Sequence, residues 1–127
     1  RAKDSATAFA RAREARLGKD VAAAKANFVA IRRDWPASQE ARLSAFELGR
    51  IAFDTEHDYW SAATWFTTYR TEDPNGPLAR EALGRALEAR TLRHDEAGAR
   101  REATEYLRLY PTGPHANAAR RVLGELL

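Results

Sequence analysis

Small and bulky apolar residues recur along this chain at helical spacings, and they recur in register three times. The segments Asp20 to Pro36, Asp58 to Pro74 and Asp95 to Pro111 align without a gap, each Asp lying 16 residues before its Pro. Four residues after the Asp stand Ala24, Ala62 and Ala99; eight after it, Phe28, Phe66 and Ala103; eleven after it, Ile31, Tyr69 and Tyr106. Offsets of 4, 8 and 11 trace one face of an α-helix, so each segment reads as a helix with a small residue early and bulky ones late. Asp is a good N-cap, and Pro forces the residue before it out of the α region, which sets both ends.

A second pattern begins after each Pro. Ser38, Gly76 and Gly113 stand two residues on, Ala41, Ala79 and Ala116 five, Ser44, Ala82 and Ala119 eight, and Leu48, Ala86 and Leu123 twelve. Small residues at the start of these alternate helices allow close approach to a neighbour, and the amphipathic spacing runs on through Phe46 and Phe53. The pattern predicts helices near 4–17, 20–34, 38–54, 58–71, 77–92, 95–109 and 114–126. The connectors are only a few residues long, so consecutive helices pack antiparallel in an all-α chain. No linker divides it, and one domain over 1–127 is expected, with units near 4–36, 37–74 and 75–111 and a half unit at 112–127. A helix pair cannot bury its apolar face alone; stacking is therefore obligatory, and the unpaired last helix is expected to cap the array.

A small residue early in the second helix, an aromatic four residues on and Pro twelve after the small residue resembles the tetratricopeptide signature, here Ala24/Phe28/Pro36 and Ala62/Phe66/Pro74, with Ala99/Ala103/Pro111 lacking the aromatic. The Pro-to-Pro spacings of 38 and 37 exceed that family's usual period. The longer unit, with Pro36, Ser38, Ala41, Phe46, Leu48, Gly49, Ala62 and Phe66, is similar to repeats of the Tol-Pal-associated coordinator family and of BamD-like outer-membrane-assembly lipoproteins. The stretches around Ala45 to Arg50 and Tyr106 to Ala116 also resemble repeats appended to FecR-like anti-sigma regulators. The resemblance implies a right-handed α-α superhelix, protein binding, and a periplasmic or envelope-associated setting, with the cytoplasm as the alternative.

Charge changes this picture little. The net charge is +3, but 21 basic side chains face 18 acidic ones in scattered pairs such as Arg13-Glu14 and Arg80-Glu81, which describes a solvated helix surface. An unopposed basic stripe with interleaved aromatics, the mark of nucleic-acid binding, is missing. With no Cys, disulfides, thiolate metal sites and Cys nucleophiles are excluded, and no stretch is long and apolar enough to span a membrane. The chain contains no Met, so Arg1 is expected to continue a longer polypeptide, and the first pair to have had an upstream neighbour. No phosphate loop, H-E-x-x-H or G-x-S-x-G appears, and the carboxylates near helix starts, Glu56/Asp58 and Asp95/Glu96, serve as caps. His57 and His94 precede equivalent Asp residues one period apart, farther than a shared ion allows, and His115 has no evident partner. The expected protein is not an enzyme and needs no cofactor or metal.

In such stacks the first helix of each pair lines the groove. If Gly49 marks close packing, the groove candidates are Phe46, Arg50 and Phe53 centrally, Phe9, Arg13 and Arg16 on one side, and Glu81 and Glu88 on the other. The arginines return to one face and could hold an acidic peptide by forked hydrogen bonds, whereas Phe46 and Phe53 read equally well as core. Trp60 and Trp65 lie off the Ala62/Phe66/Tyr69 face, either packed between pairs or exposed as a convex contact, and Trp35 reads as structural. The leading expectation is an interaction module for a partner peptide or domain. The alternative is a spacer or self-association domain, a homo-oligomer included.

Overall fold

The computed structural model of the protein describes residues 2–125, and those residues form helices and turns. In chain order these are α1 (Ser5–Leu17), α2 (Val21–Asp34), α3 (Gln39–Arg50) continued by a π-helical segment (Ile51–Thr55), α4 (Tyr59–Glu72), α5 (Ala79–Leu92), α6 (Glu96–Leu109) and α7 (Ala116–Val122). Each helix packs on the next, and α1 also packs on α3, so the chain builds three antiparallel pairs and a final single helix. The repeat Asp residues cap as their type requires: Asp20, Asp58 and Asp95 accept the backbone N–H three residues on, from Ala23, Ser61 and Gly98.

Three apolar clusters succeed one another along the stack. Phe28 and Ile31 of α2 meet Ala12, Ala41, Leu48 and Ile51. Phe66 and Tyr69 of α4 meet Phe46, Ala82 and Ala86. Tyr106 and Ala103 of α6 meet Leu83, Leu87, Ala116 and Ala119. The small residues bring helices together: a Cβ on Gly49 would lie 2.8 Å from the ring of Phe66, which is wholly buried.

The turns within pairs and between pairs use different chemistry. After α1 and α5 the chain closes a Schellman motif, with Asp20 N–H bonded to Ala15 O at 2.8 Å and Asp95 N–H to Arg90 O at 2.9 Å. The left-handed residue in these turns is Lys19 (φ 64) or His94 (φ 61), and His57 (φ 53) takes the same role before Asp58. Side chains with a Cβ are strained there, by about 1–2 kcal/mol. Substituting His94→Gly should therefore raise stability by about 0.5–1 kcal/mol, the relief exceeding the entropy glycine adds to the unfolded chain; an unchanged denaturation midpoint would contradict this. Between pairs, Tyr69 and Tyr106 accept N–H bonds from Leu78 (3.2 Å) and His115 (3.0 Å), residues that lack a capping side chain of their own. Gly76 and Gly113 leave room for those hydroxyls. Where Ile31 stands in place of the tyrosine, Ser38 supplies the cap instead, accepting from Ala41 N–H at 3.0 Å.

Two expectations change. The helix expected over 38–54 is α-helical only to Arg50: the interval from Pro36 to Asp58 is 22 residues against 21 from Pro74 to Asp95, and the extra residue widens the last turn so that Glu56 N–H reaches Ile51 O at 3.0 Å. The last helix, expected over 114–126, stops at Val122 because Gly124 (φ 76) closes a Schellman turn with Glu125 N–H on Arg120 O at 2.8 Å; Leu126 lies outside the described residues.

Both ends of the described stack are polar. Counting back from the repeat Asp, the positions held in α5 by buried Ala79, Ala82, Ala86 and Ala89 are held in α1 by Asp4, Thr7, Arg11 and Glu14. Where α5 turns Leu83 and Leu87 toward α6, the last unit has Arg120, in α7, and Gly124, in the turn after it.

Candidate functional site

The face made by the first helices of the pairs holds most of the groove candidates, but three of them are occupied from within. Phe46 is core: 2% exposed, it packs edge-on against Phe66 (5.3 Å) and Tyr69 (5.7 Å), so it offers a partner nothing. Arg16 and Arg50 converge on Glu47, a residue only 8% exposed, with Arg16 Nε 3.0 Å from Glu47 Oε2 and Arg50 Nη1 3.3 Å from Oε1. The first of these is a charge contact whose N–H is not aimed at the oxygen. The expectation that Arg16 and Arg50 stand free to fork onto a partner carboxylate is corrected: the protein supplies that carboxylate itself, tying α1 to α3.

Arg13 is different. It is exposed, and its guanidinium lies 6.0 Å from the centre of the Phe9 ring, which itself packs edge-on against Phe28. Arg13 and Glu88 each lie seven residues before their repeat Asp, and Arg50 eight before its own, so the three are equivalent once the inserted residue is counted.

Phe53 is half-buried on the π-helical segment, edge-on to Tyr59 at 5.1 Å. The Arg85 guanidinium sits 4.9 Å from the Phe53 ring centre and 5.3 Å from that of Phe66, and pairs with Asp54 at 2.6 Å and Glu81 at 3.8 Å. Phe53, Asp54, Glu81 and Arg85, with Glu88 and His115, line a cleft of about 460 Å³ between the end of α3, α5 and the turn before α7. A second cleft, of about 340 Å³, is lined by Arg16, Lys19, Arg50 and Asp54. Asp54 borders both.

His115 has a partner that sequence reasoning missed. Its Nε2 lies 2.5 Å from Glu88 Oε1, and its ring fills the notch left by Gly84. The hydrogen bond to His115, with Arg85 nearby, holds the Glu88 carboxyl below its ordinary range. The Arg32 fork, at 3.0 and 2.8 Å, does the same for Glu72. Carboxylates held low in the folded chain lend stability that is complete above their ordinary values and is lost as the pH falls through the depressed ones. The thermal midpoint should therefore fall steadily below about pH 4.5, the ordinary value for Glu72 and Glu88, and Glu72→Gln should lower the neutral plateau and flatten the fall. A midpoint independent of pH from 7 to 2 would contradict this.

The tryptophans separate. Trp65 is half-buried against the first and second clusters, with Arg32 of α2 5.4 Å from its ring centre. Trp60 is 67% exposed, with one indole face covered by Arg93 at 3.9 Å. No family model matches the chain, and no curated protein aligns with it significantly. The chemistry open to this face is that of its own side chains: charged groups of both signs around a partly open aromatic ring. The signal that could have found the clefts was the one-residue difference between the Pro-to-Asp intervals, since a residue inserted in a helix re-aims the side chains beyond it, here Phe53 and Asp54.

Proposed function

We propose that this chain is a tetratricopeptide-type interaction module that binds a partner peptide or protein segment along the face of α1, α3 and α5, within a bacterial envelope or regulatory assembly. The observation that carries this is the pair of adjoining clefts on that face, which meet at Asp54 and are bordered by half-exposed charged side chains. No described helix is long and apolar enough to cross a membrane. The envelope or regulatory setting rests on the resemblance of the repeats to those families.

Affinity capture with the domain as bait, repeated with Arg13→Glu/Lys19→Glu, tests the reading. Both residues are exposed and neither forms an ion pair among the described residues, so the variant should fold as the parent does and lose its partner by at least about tenfold, the factor that 1.4 kcal/mol represents. Equal recovery by both would place the partner elsewhere. The domain should run as a monomer in solution, and a stable dimer at micromolar concentration would favour self-association instead.

A further inference from the structure

We infer that the first-helix face is charge-polarised along the stack and takes an extended segment carrying a carboxylate and, about five residues away, a basic side chain; this rests on that face being the partner surface. One end is cationic. Arg13 and Lys19 are exposed and unpaired among the described residues, while Arg16 and Arg50 share the single carboxylate of Glu47. With Asp54 on the border the two clefts share, four cations stand against two anions, and one of those, Glu47, is only 8% exposed, so the net charge at this end is positive.

The other end, centred on α5, is anionic at its surface. Asp54, Glu81 and Glu88 keep 52%, 49% and 43% of their side chains exposed, whereas Arg85, which faces the first two, is 16% exposed and sunk over the Phe53 and Phe66 rings. The guanidinium contacts Asp54 Oδ1 and Glu81 Oε2, and His115 contacts Glu88 Oε1, while about half of each carboxylate side chain stays open to solvent. Arg80 is the exposed cation on this side, against three carboxylates.

The clefts of the two ends meet at Asp54, so a bound chain can pass from one to the other without leaving the surface. From α1 to α5 is two steps across the first helices, each about 8–10 Å, and extended chain advances about 3.3 Å per residue, which puts the two charges about five residues apart. A segment of one sign meets repulsion at one end; a mixed segment is attracted at both and is aligned in a single direction.

The test uses four acetylated, amidated hexapeptides with four central glycines: aspartate then arginine at the ends, the reverse order, aspartate at both ends, and arginine at both ends. Binding is tracked through the backbone amides of the 15N-labelled domain. The better of the two mixed peptides should bind at least about tenfold more tightly than either single-sign peptide, because the second contact becomes intramolecular, and it should shift Lys19, Ile51, Asp54 and Glu88. The two orders should differ in affinity, and the double reversal Lys19→Glu/Glu81→Lys should exchange their ranking. Equal affinities of all four on this face would overturn the polarity while leaving the face as the partner surface. Shifts confined to other surfaces, or none up to tens of millimolar, would overturn both.

Discussion

Replacing Phe66 with alanine should cost the domain about 3–5 kcal/mol, the largest loss expected of any single substitution here. The ring is wholly buried in the central cluster, edge-on to Phe46 at 5.3 Å and beneath the Arg85 guanidinium at 5.3 Å, so its removal opens a cavity and unseats two neighbours together. In a stack, a pair is stable only against its neighbours, so a defect in the central pair weakens both interfaces. Gly49→Ala attacks the same contact from the other side. The added methyl would come to 2.8 Å from the ring, and overpacking of this kind costs about 1–3 kcal/mol. In the double variant the methyl enters space the ring has left, so the two losses should sum to more than the double loses, by about 1 kcal/mol. Urea denaturation of the four proteins reads this cycle, and strict additivity would show that Gly49 is not there for the ring.

Charge reversal separates structural from available arginines. Arg50→Glu should destabilise the domain by about 2 kcal/mol, since it removes one of the two cations on a nearly buried carboxylate and sets a second carboxylate beside it, in a pair that water screens because the Arg50 side chain is 36% exposed. Arg13→Glu, at the equivalent position of α1, should change stability by less than about 0.5 kcal/mol. Loss of binding by an Arg50 variant therefore says little about the partner, while loss by an Arg13 variant speaks to the surface directly. Equal stability of the two variants would show that Glu47 does not need Arg50.

That the chain is all-helical, that its helices number about seven, and where most of them begin and end are all legible in the residues alone. Those features depend on interactions within a few positions: an Asp accepting the N–H three residues on, a Pro that denies its neighbour the α region, and apolar side chains at 4, 8 and 11 that return to one face. The repeat Pro and Asp intervals also held the sign of the widened turn, although only the folded chain gives it meaning by aiming Phe53 and Asp54 at Arg85. The pairing of charges and rings across helices, by contrast, belongs to the tertiary structure. Glu47 lies 31 residues from Arg16 in the chain, Asp54 31 from Arg85 and Glu88 27 from His115. Nothing local relates them; each pairing is set by how far two packed helices rotate and slide against each other, and that is fixed by the small residues between them. For this reason Phe46 and Phe53, alike in sequence on one helix face, part company: one closes the core against Phe66 and the other borders an open cleft.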